Sequence, residues 1–108
     1  MSRRRRVLLD ENLAVQLRLW LPGVEAISAE FMGWKSVRNG SLVRRAKESG
    51  FDVLVTADRG LAMAPRSWAP LACVFVTSNK LARLRAAAAE IEAACRAVVL
   101  GQVVVVRA

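Results

Sequence analysis

Short apolar runs that stop at polar residues recur along this chain. Val7-Leu8-Leu9 ends at Asp10-Glu11, Val53-Leu54-Val55 ends after Thr56-Ala57 at Asp58, and Ala72 to Val76 ends at Thr77-Ser78-Asn79. Val103 to Val106, behind Gly101, forms a last β-branched run. Unbroken runs of this length fit strands buried on both faces of a parallel sheet. Val24 to Ile27 reads as a further strand, and Val103 to Val106 as an edge strand.

The intervening stretches read as helices and turns. Leu13, Leu17 and Trp20 or Leu21 recur at helical spacing up to Pro22-Gly23, while Val15, Leu17 and Leu19 also alternate like a strand. Asn12 or Asp10 as a cap and Pro22 as a breaker favour the helix. Ser28 to Trp34 reads as a helical turn closing at Gly33. Asn39-Gly40-Ser41 opens a helix from about Leu42 to Ser49, and Gly50 suits the left-handed residue behind it. Arg59 to Pro70, with Gly60, Pro65 and Pro70, reads as a loop with one helical turn, in which Trp68 packs. The longest helix is expected over about Lys80 to Val99, with a stripe of Leu81, Leu84, Ala88, Ile91, Cys95 and Val98. Glu92 and Arg96 can pair on its outer face, and Thr77, Ser78 or Asn79 can cap its start. Strands alternating with helices predict one mainly parallel sheet of about five strands, covered on both faces.

Length and composition narrow the classes. A chain of 108 residues suits a single domain over 1–108, with residues 1–6 a basic segment expected to be flexible at its start. The hydrophobic fraction is 55%, yet no apolar run approaches the roughly 20 residues of a membrane span. The arginine run is followed by only three apolar residues, which is not the core of a secretory signal, so a cytoplasmic location is expected. Histidine is absent and the cysteines, Cys73 and Cys95, lack a pairing motif. Ser-His and Cys-His catalysis are thereby excluded, structural zinc is not expected, and both thiols are expected in the core. Hydrolysis would have to use carboxylates, lysine or a metal.

Seventeen basic against nine acidic residues give a net charge of +8. The charge clusters in Arg3 to Arg6 and in Lys35, Arg38, Arg44, Arg45 and Lys47. Nucleic acid is one natural partner, an acidic protein another, and a solvated basic face the plain alternative.

In an open parallel sheet, ligands bind beyond the carboxyl ends of the strands. Asp10 and Asp58 both fall there. Two carboxylates converging at such an edge repel unless a proton or a cation lies between them, and Mg²⁺ or Mn²⁺ is the natural hard-cation choice. Asp residues after strands also cap helices, so each acid has a purely structural alternative. Glu11 reads as a supporting acid or as a favourable charge in a first helical turn. Glu25, Glu48, Asp52, Glu90 and Glu92 read as surface charge, and exposed Glu30 as ordinary.

Leu8-Leu9-Asp10-Glu11-Asn12-Leu13, Gly33-Trp34 with Asn39-Gly40, and Val53-Leu54-Val55-Thr56-Ala57-Asp58-Arg59 together resemble the small stand-alone PIN-like domains of bacteria and archaea. Thr77-Ser78-Asn79-Lys80-Leu81 and Gly101-Gln102-Val103-Val104 are similar as well, so the resemblance covers nearly the whole chain. It implies a PIN-like three-layer α/β/α sandwich and a Mg²⁺- or Mn²⁺-dependent ribonuclease with a metal-activated water. It also implies a toxin role held in check by a small antitoxin protein. The family's first acid matches Asp10 and its strand-end acid matches Asp58. The family's further acid, in or after the Asn-Gly turn, falls near Ser41, where this chain has none. Glu11, Asn12 and the amide oxygen of Asn39 are then the candidates to assist. Arg59 is placed to hold a phosphate or to pair with an acid, and Asn79 is a further candidate near the site. RNA is the implied substrate. Homodimers are frequent in such domains, and Phe31, Met32 and Trp34 offer either a dimer contact or core packing. A catalytically degenerate module that binds RNA or a protein is the alternative from a different class. A phosphoacceptor domain is a third, although the Thr56-Ala57-Asp58 strand end does not supply the separate Thr and Lys positions it would need.

Overall fold

Each apolar run becomes a strand. In the computed structural model, which describes residues 3–108, β1 spans Arg6–Leu9, β2 Glu25–Ser28, β3 Val53–Thr56, β4 Ala72–Val76 and β5 Val103–Val106. All neighbouring pairs run parallel, in the order β2-β1-β3-β4-β5. The sheet is therefore wholly parallel, and β5 forms an edge as expected. Four helices accompany it: α1 (Asn39–Glu48), α2 (Arg59–Met63), α3 (Leu81–Ala86) and α4 (Ala88–Ala97). A 3₁₀ helix, Val15–Trp20, joins β1 to β2.

Strand alternation sends successive side chains to opposite faces, and two cores result. Val7, Leu9, Val53 and Val55 pack with Leu13, Leu17, Leu84, Ile91 and Cys95 on one face. Leu8, Leu54 and Cys73 pack with Leu42, Ala46, Leu61 and Trp68 on the other. The result is a three-layer α/β/α sandwich. Burial pushes both free thiols, Cys73 and Cys95, up to about 12, so they fill the core as small apolar groups. No helix among the described residues is long and apolar enough to cross a membrane.

Several local expectations are corrected. Leu17 and Leu21 are fully buried as the spacing required, but the connection between Asp10 and Pro22 is short and closes as 3₁₀ rather than α. Its N-cap is Ala14, so neither Asp10 nor Asn12 caps it. The helical turn expected over Ser28 to Trp34 is a run of turns over residues 29–33 that closes at Gly33 (φ 77°), since Ser28 still belongs to β2. The long helix bends into α3 and α4 at Ala87 (φ −94°, ψ 3°), inside the Ala86-Ala87-Ala88-Ala89 run, and Leu84 and Ile91 on either side are both fully buried. Leu81, included in the stripe, is exposed. Ser78 Oγ accepts from the Lys80 amide just before α3, whose N-cap Lys80 has no side-chain cap bond. Glu92 does not pair with Arg96; its Oε1 accepts the Gly23 amide at 2.7 Å. Asp52, expected as surface charge, accepts the Arg6 amide at 2.8 Å and pairs with Arg3 at 3.4 Å.

The arginine run is bound to the fold from Arg3 onward. The flexibility expected of Met1 and Ser2 lies outside the described residues. Arg4 donates to Pro22 O, Arg5 to Cys95 O and Val98 O at 2.9 and 2.7 Å, and Arg6 to Ser49 O at 2.6 Å while lying 4.5 Å over the Phe51 ring. Arg5 and Arg6 thus meet the carbonyl ends of α4 and α1, where a cation opposes the helix dipole. They do so at the start of β1, the opposite end of the sheet from Asp10. Arg5→Ala is expected to lower stability by roughly 2 kcal/mol, because two charge-assisted bonds to helix-end carbonyls are lost. A urea midpoint that falls at unchanged slope is the expected reading.

Candidate functional site

The strand order reverses direction between β1 and β3. From β1 the chain leaves through the 3₁₀ helix on one face, and from β3 it leaves through α2 on the other. Such a divergence opens a crevice at the carboxyl ends of the two strands. Asp10 and Asp58 follow those ends. Both line one cleft of about 320 Å³ together with Glu11, Asn12, Val37, Arg38, Asn39, Leu42 and Leu61.

Asp10 continues β1, with its amide bonded to Val55 O at 3.0 Å, and the residue is 8% exposed. Its Oδ1 accepts the Glu11 amide at 2.8 Å, and its Oδ2 accepts the Thr56 hydroxyl at 2.7 Å. Thr56, fully buried, also accepts the Asp58 amide on the same oxygen at 2.9 Å. One hydroxyl therefore joins the ends of β1 and β3. Asp58 is exposed and caps α2 through Oδ1, which accepts the Leu61 amide at 3.1 Å. Burial raises the Asp10 pKa above its ordinary 3.8, against the lowering effect of the Thr56 and Glu11 hydrogen bonds; the negative charges of Asp58 and Glu11 raise it further.

The remaining candidates separate into those that reach the cleft and those that do not. Glu11 lines it, but Oε2 accepts the Ser36 amide at 2.9 Å and so ties the 29–38 connection to the strand end. Asn12 is exposed on the wall. Asn39, at φ 47°, lines the cleft at the first residue of α1. Helix α1 begins at Asn39, three residues before the expected start, and ends one residue early at Glu48, with Gly50 left-handed at φ 78° as anticipated. Ser41 is exposed in the first turn of α1 and is not part of the wall. Arg59 is exposed beside Asp58, outside the lining. Asn79 is exposed beyond β4, also outside it. Thr77 and Arg107 close β4 and β5 away from the cleft, the Thr77 hydroxyl accepting the Ala108 amide at 2.9 Å.

Two residues escaped the sequence reading. Thr56 was legible only as a strand end, although a hydroxyl placed last in an otherwise apolar buried strand signals a buried partner. Arg38 was counted in a basic block without a place in the site. It now provides a cation on the cleft wall. The first arginine block, by contrast, is consumed at the far end of the sheet, so of the two basic blocks only Arg38 brings a charge to the cleft wall.

The donor set fits a hard divalent cation. Asp10 and Asp58 offer carboxylate oxygens and Asn12 and Asn39 offer amide oxygens, with no thiol or imidazole among the lining residues. Among the described residues no group of three or more acidic, Cys or His side chains gathers closely enough to hold an ion alone. Binding would therefore rely on water and on substrate oxygens, as Mg²⁺ sites commonly do. Compared with protein-family models, with curated proteins and with solved structures, the chain matches none.

Proposed function

We propose that the chain is a metal-dependent ribonuclease of PIN-like type, working in the cleft between the ends of β1 and β3. The observation that carries this reading is the pair Asp10 and Asp58, held by one buried threonine at the point where the sheet's connections diverge. Mg²⁺ or Mn²⁺, held by Asp10 and Asp58 with help from Asn12 and Asn39, would supply charge neutralisation at a phosphodiester and a more acidic water. Asp10 is fixed at both oxygens and so gives the site its rigid base. Exposed Asp58 retains one carboxylate oxygen free of the α2 cap and can take a proton from an attacking water. Arg38 on the wall is suited to pairing with a substrate phosphate. The exposed basic side of α1 suits RNA beyond the cleft, or a small acidic antitoxin that covers it.

The test is cleavage of single-stranded RNA with Mg²⁺ or Mn²⁺. Chelation is expected to stop it, and Asp58→Asn, which keeps the α2 cap, is expected to reduce it at least about 100-fold with unchanged far-UV circular dichroism. Metal-independent cleavage, or full activity in both Asp10→Ala and Asp58→Asn, would sink the proposal.

The scarcity of acids favours one second reading, a degenerate module that keeps the fold and binds RNA or a protein. Asn39→Asp discriminates the two better than Ser41→Glu, because Asn39 lines the cleft and Ser41 does not. An inert wild type that gains metal-dependent cleavage with Asn39→Asp would establish the degenerate reading.

A further inference from the structure

Glu11 reaches in two directions. Its amide donates to Asp10 Oδ1 at 2.8 Å, and its Oε2 accepts the Ser36 amide at 2.9 Å. The second bond crosses from the end of β1 to residues 35–39, which bring Val37, Arg38 and Asn39 to the cleft wall. Packing holds that segment weakly: between the buried Trp34 and the buried Leu42, only Val37 is even half-buried. Its backbone is also strained. Ser36 at φ 71° and Asn39 at φ 47° are left-handed without being glycine, and they stand on either side of Arg38. Such a conformation persists only where something outside it fixes the chain. Among the described residues, Glu11 is the one side chain that hydrogen-bonds into residues 35–39.

Arg38 is what the segment presents. It is exposed, forms no ion pair among the described residues, and is the one cation on the cleft wall. It also stands at the amino end of α1, whose first turn holds no acid, so the helix dipole opposes the cation until an anion arrives.

We infer that Glu11 is a positioning residue rather than a metal ligand: by holding the Ser36 amide it fixes Arg38 on the cleft wall, in place to receive a phosphate of single-stranded RNA. That the ligand is RNA rests on the ribonuclease reading, whereas the tether stands on its own geometry. One residue then serves both halves of a phosphodiester site. Its amide steadies the carboxylate on the metal side, and its carboxylate steadies the arginine on the phosphate side. Because the Asp10 contact uses the main chain, it survives any side-chain change at Glu11. Loss of an acid ordinarily strengthens the hold of a basic surface on a polyanion, by removing repulsion. Positioning reverses that sign here, since an Arg38 released from its place loses the orientation that a charge-assisted phosphate pair needs.

Fluorescence anisotropy of a labelled single-stranded RNA, measured with chelated protein over a range of salt, tests it. Glu11→Ala is expected to weaken binding about tenfold and to lower the salt slope by about 0.7, the share of one phosphate contact on a single strand. Arg38→Ala is expected to do the same, and the double variant to bind no worse than either single one. Glu11→Gln keeps the acceptor oxygen without the charge and should bind at least as tightly as the wild type. Glu11→Asp keeps the charge but is a methylene short of Ser36; it should lose RNA affinity as Glu11→Ala does while retaining its affinity for Mn²⁺. In cleavage the loss should fall on KM rather than on kcat. If Glu11→Ala does not fold by circular dichroism, Glu11→Asp decides. RNA binding untouched or tightened by Glu11→Ala and Glu11→Asp overturns the inference. So do losses that add in the double variant, a Mn²⁺ affinity that falls with Glu11→Asp, or a wild type that binds no RNA. A wild type that binds RNA in the expected pattern but cleaves none defeats the ribonuclease reading and leaves the positioning role standing.

Discussion

Asp10→Asn is expected to lose metal-dependent RNA cleavage by at least about 100-fold and, in metal-free buffer at neutral pH, to melt above the wild type. The two effects share one cause. Asp10 is 8% exposed and its pKa is raised by burial, with the charges of Asp58 and Glu11 adding to the rise. A raised folded-state pKa means that the proton is bound more tightly in the folded chain than in the unfolded one. The associated stability is fully present below the ordinary value of 3.8 and is lost as pH rises through the folded value. At neutral pH the ionised carboxylate therefore costs stability. Asparagine removes the charge and retains a carbonyl oxygen for the Glu11 amide. The gain in melting temperature should be largest near neutrality and shrink as pH falls below the ordinary value. Thermal melts of both proteins across that range check the sign. An Asp10→Asn protein that melts lower at neutral pH would show that the Thr56 and Glu11 bonds outweigh the burial.

Thr56→Val is expected to lose both stability and activity. Valine keeps the shape, but the hydroxyl that donates to Asp10 at 2.7 Å and accepts from the Asp58 amide at 2.9 Å disappears. A buried carboxylate then loses a partner, and an amide at the strand end is left without its acceptor. The expected destabilisation is roughly 2–3 kcal/mol, measured by urea unfolding. Cleavage should fall with it under conditions where the variant remains folded, because the relative placement of Asp10 and Asp58 depends on that bridge. Thr56→Ser should recover most of both. If Thr56→Val cleaves RNA normally while folded, the two acids are positioned by their strands alone.

The acidic candidates illustrate how far residue order can be read. Asp10 and Asp58 were locatable because each ends an apolar run, and a buried strand cannot continue into a charge without reaching the edge of the sheet. Their companionship also required β1 and β3 to be neighbours, although β2 lies between them in sequence. Ser41 and Asn79 stood near the expected site by motif, yet α1 turns Ser41 off the wall and β4 carries Asn79 beyond it. Phe31 and Trp34, alike in the apolar count, separate completely. Trp34 is buried, edge-on to Phe51 with centroids 6.0 Å apart, whereas Phe31 is 81% exposed.

Charge shows the same division more sharply. Residue for residue the arginine run and the second basic block count alike toward the net charge, but Arg3 to Arg6 are engaged by carbonyls, Asp52 and Phe51 at one end of the sheet. Only Arg38 from the second block reaches the cleft wall.

By itself the sequence determined the strands, the alternating order and the parallel sheet, because the apolar runs, breakers and caps act over a few neighbouring residues. It also determined that any hydrolytic chemistry would rest on carboxylates, lysine or a metal, since no histidine exists to serve it. The tertiary structure alone decided that β1 lies beside β3, that Thr56 bridges Asp10 and Asp58, that Glu11 is held by Ser36, and which arginines remain near the cleft. Each of these depends on contacts between residues distant in the chain, and such contacts follow from which faces pack together rather than from any local pattern.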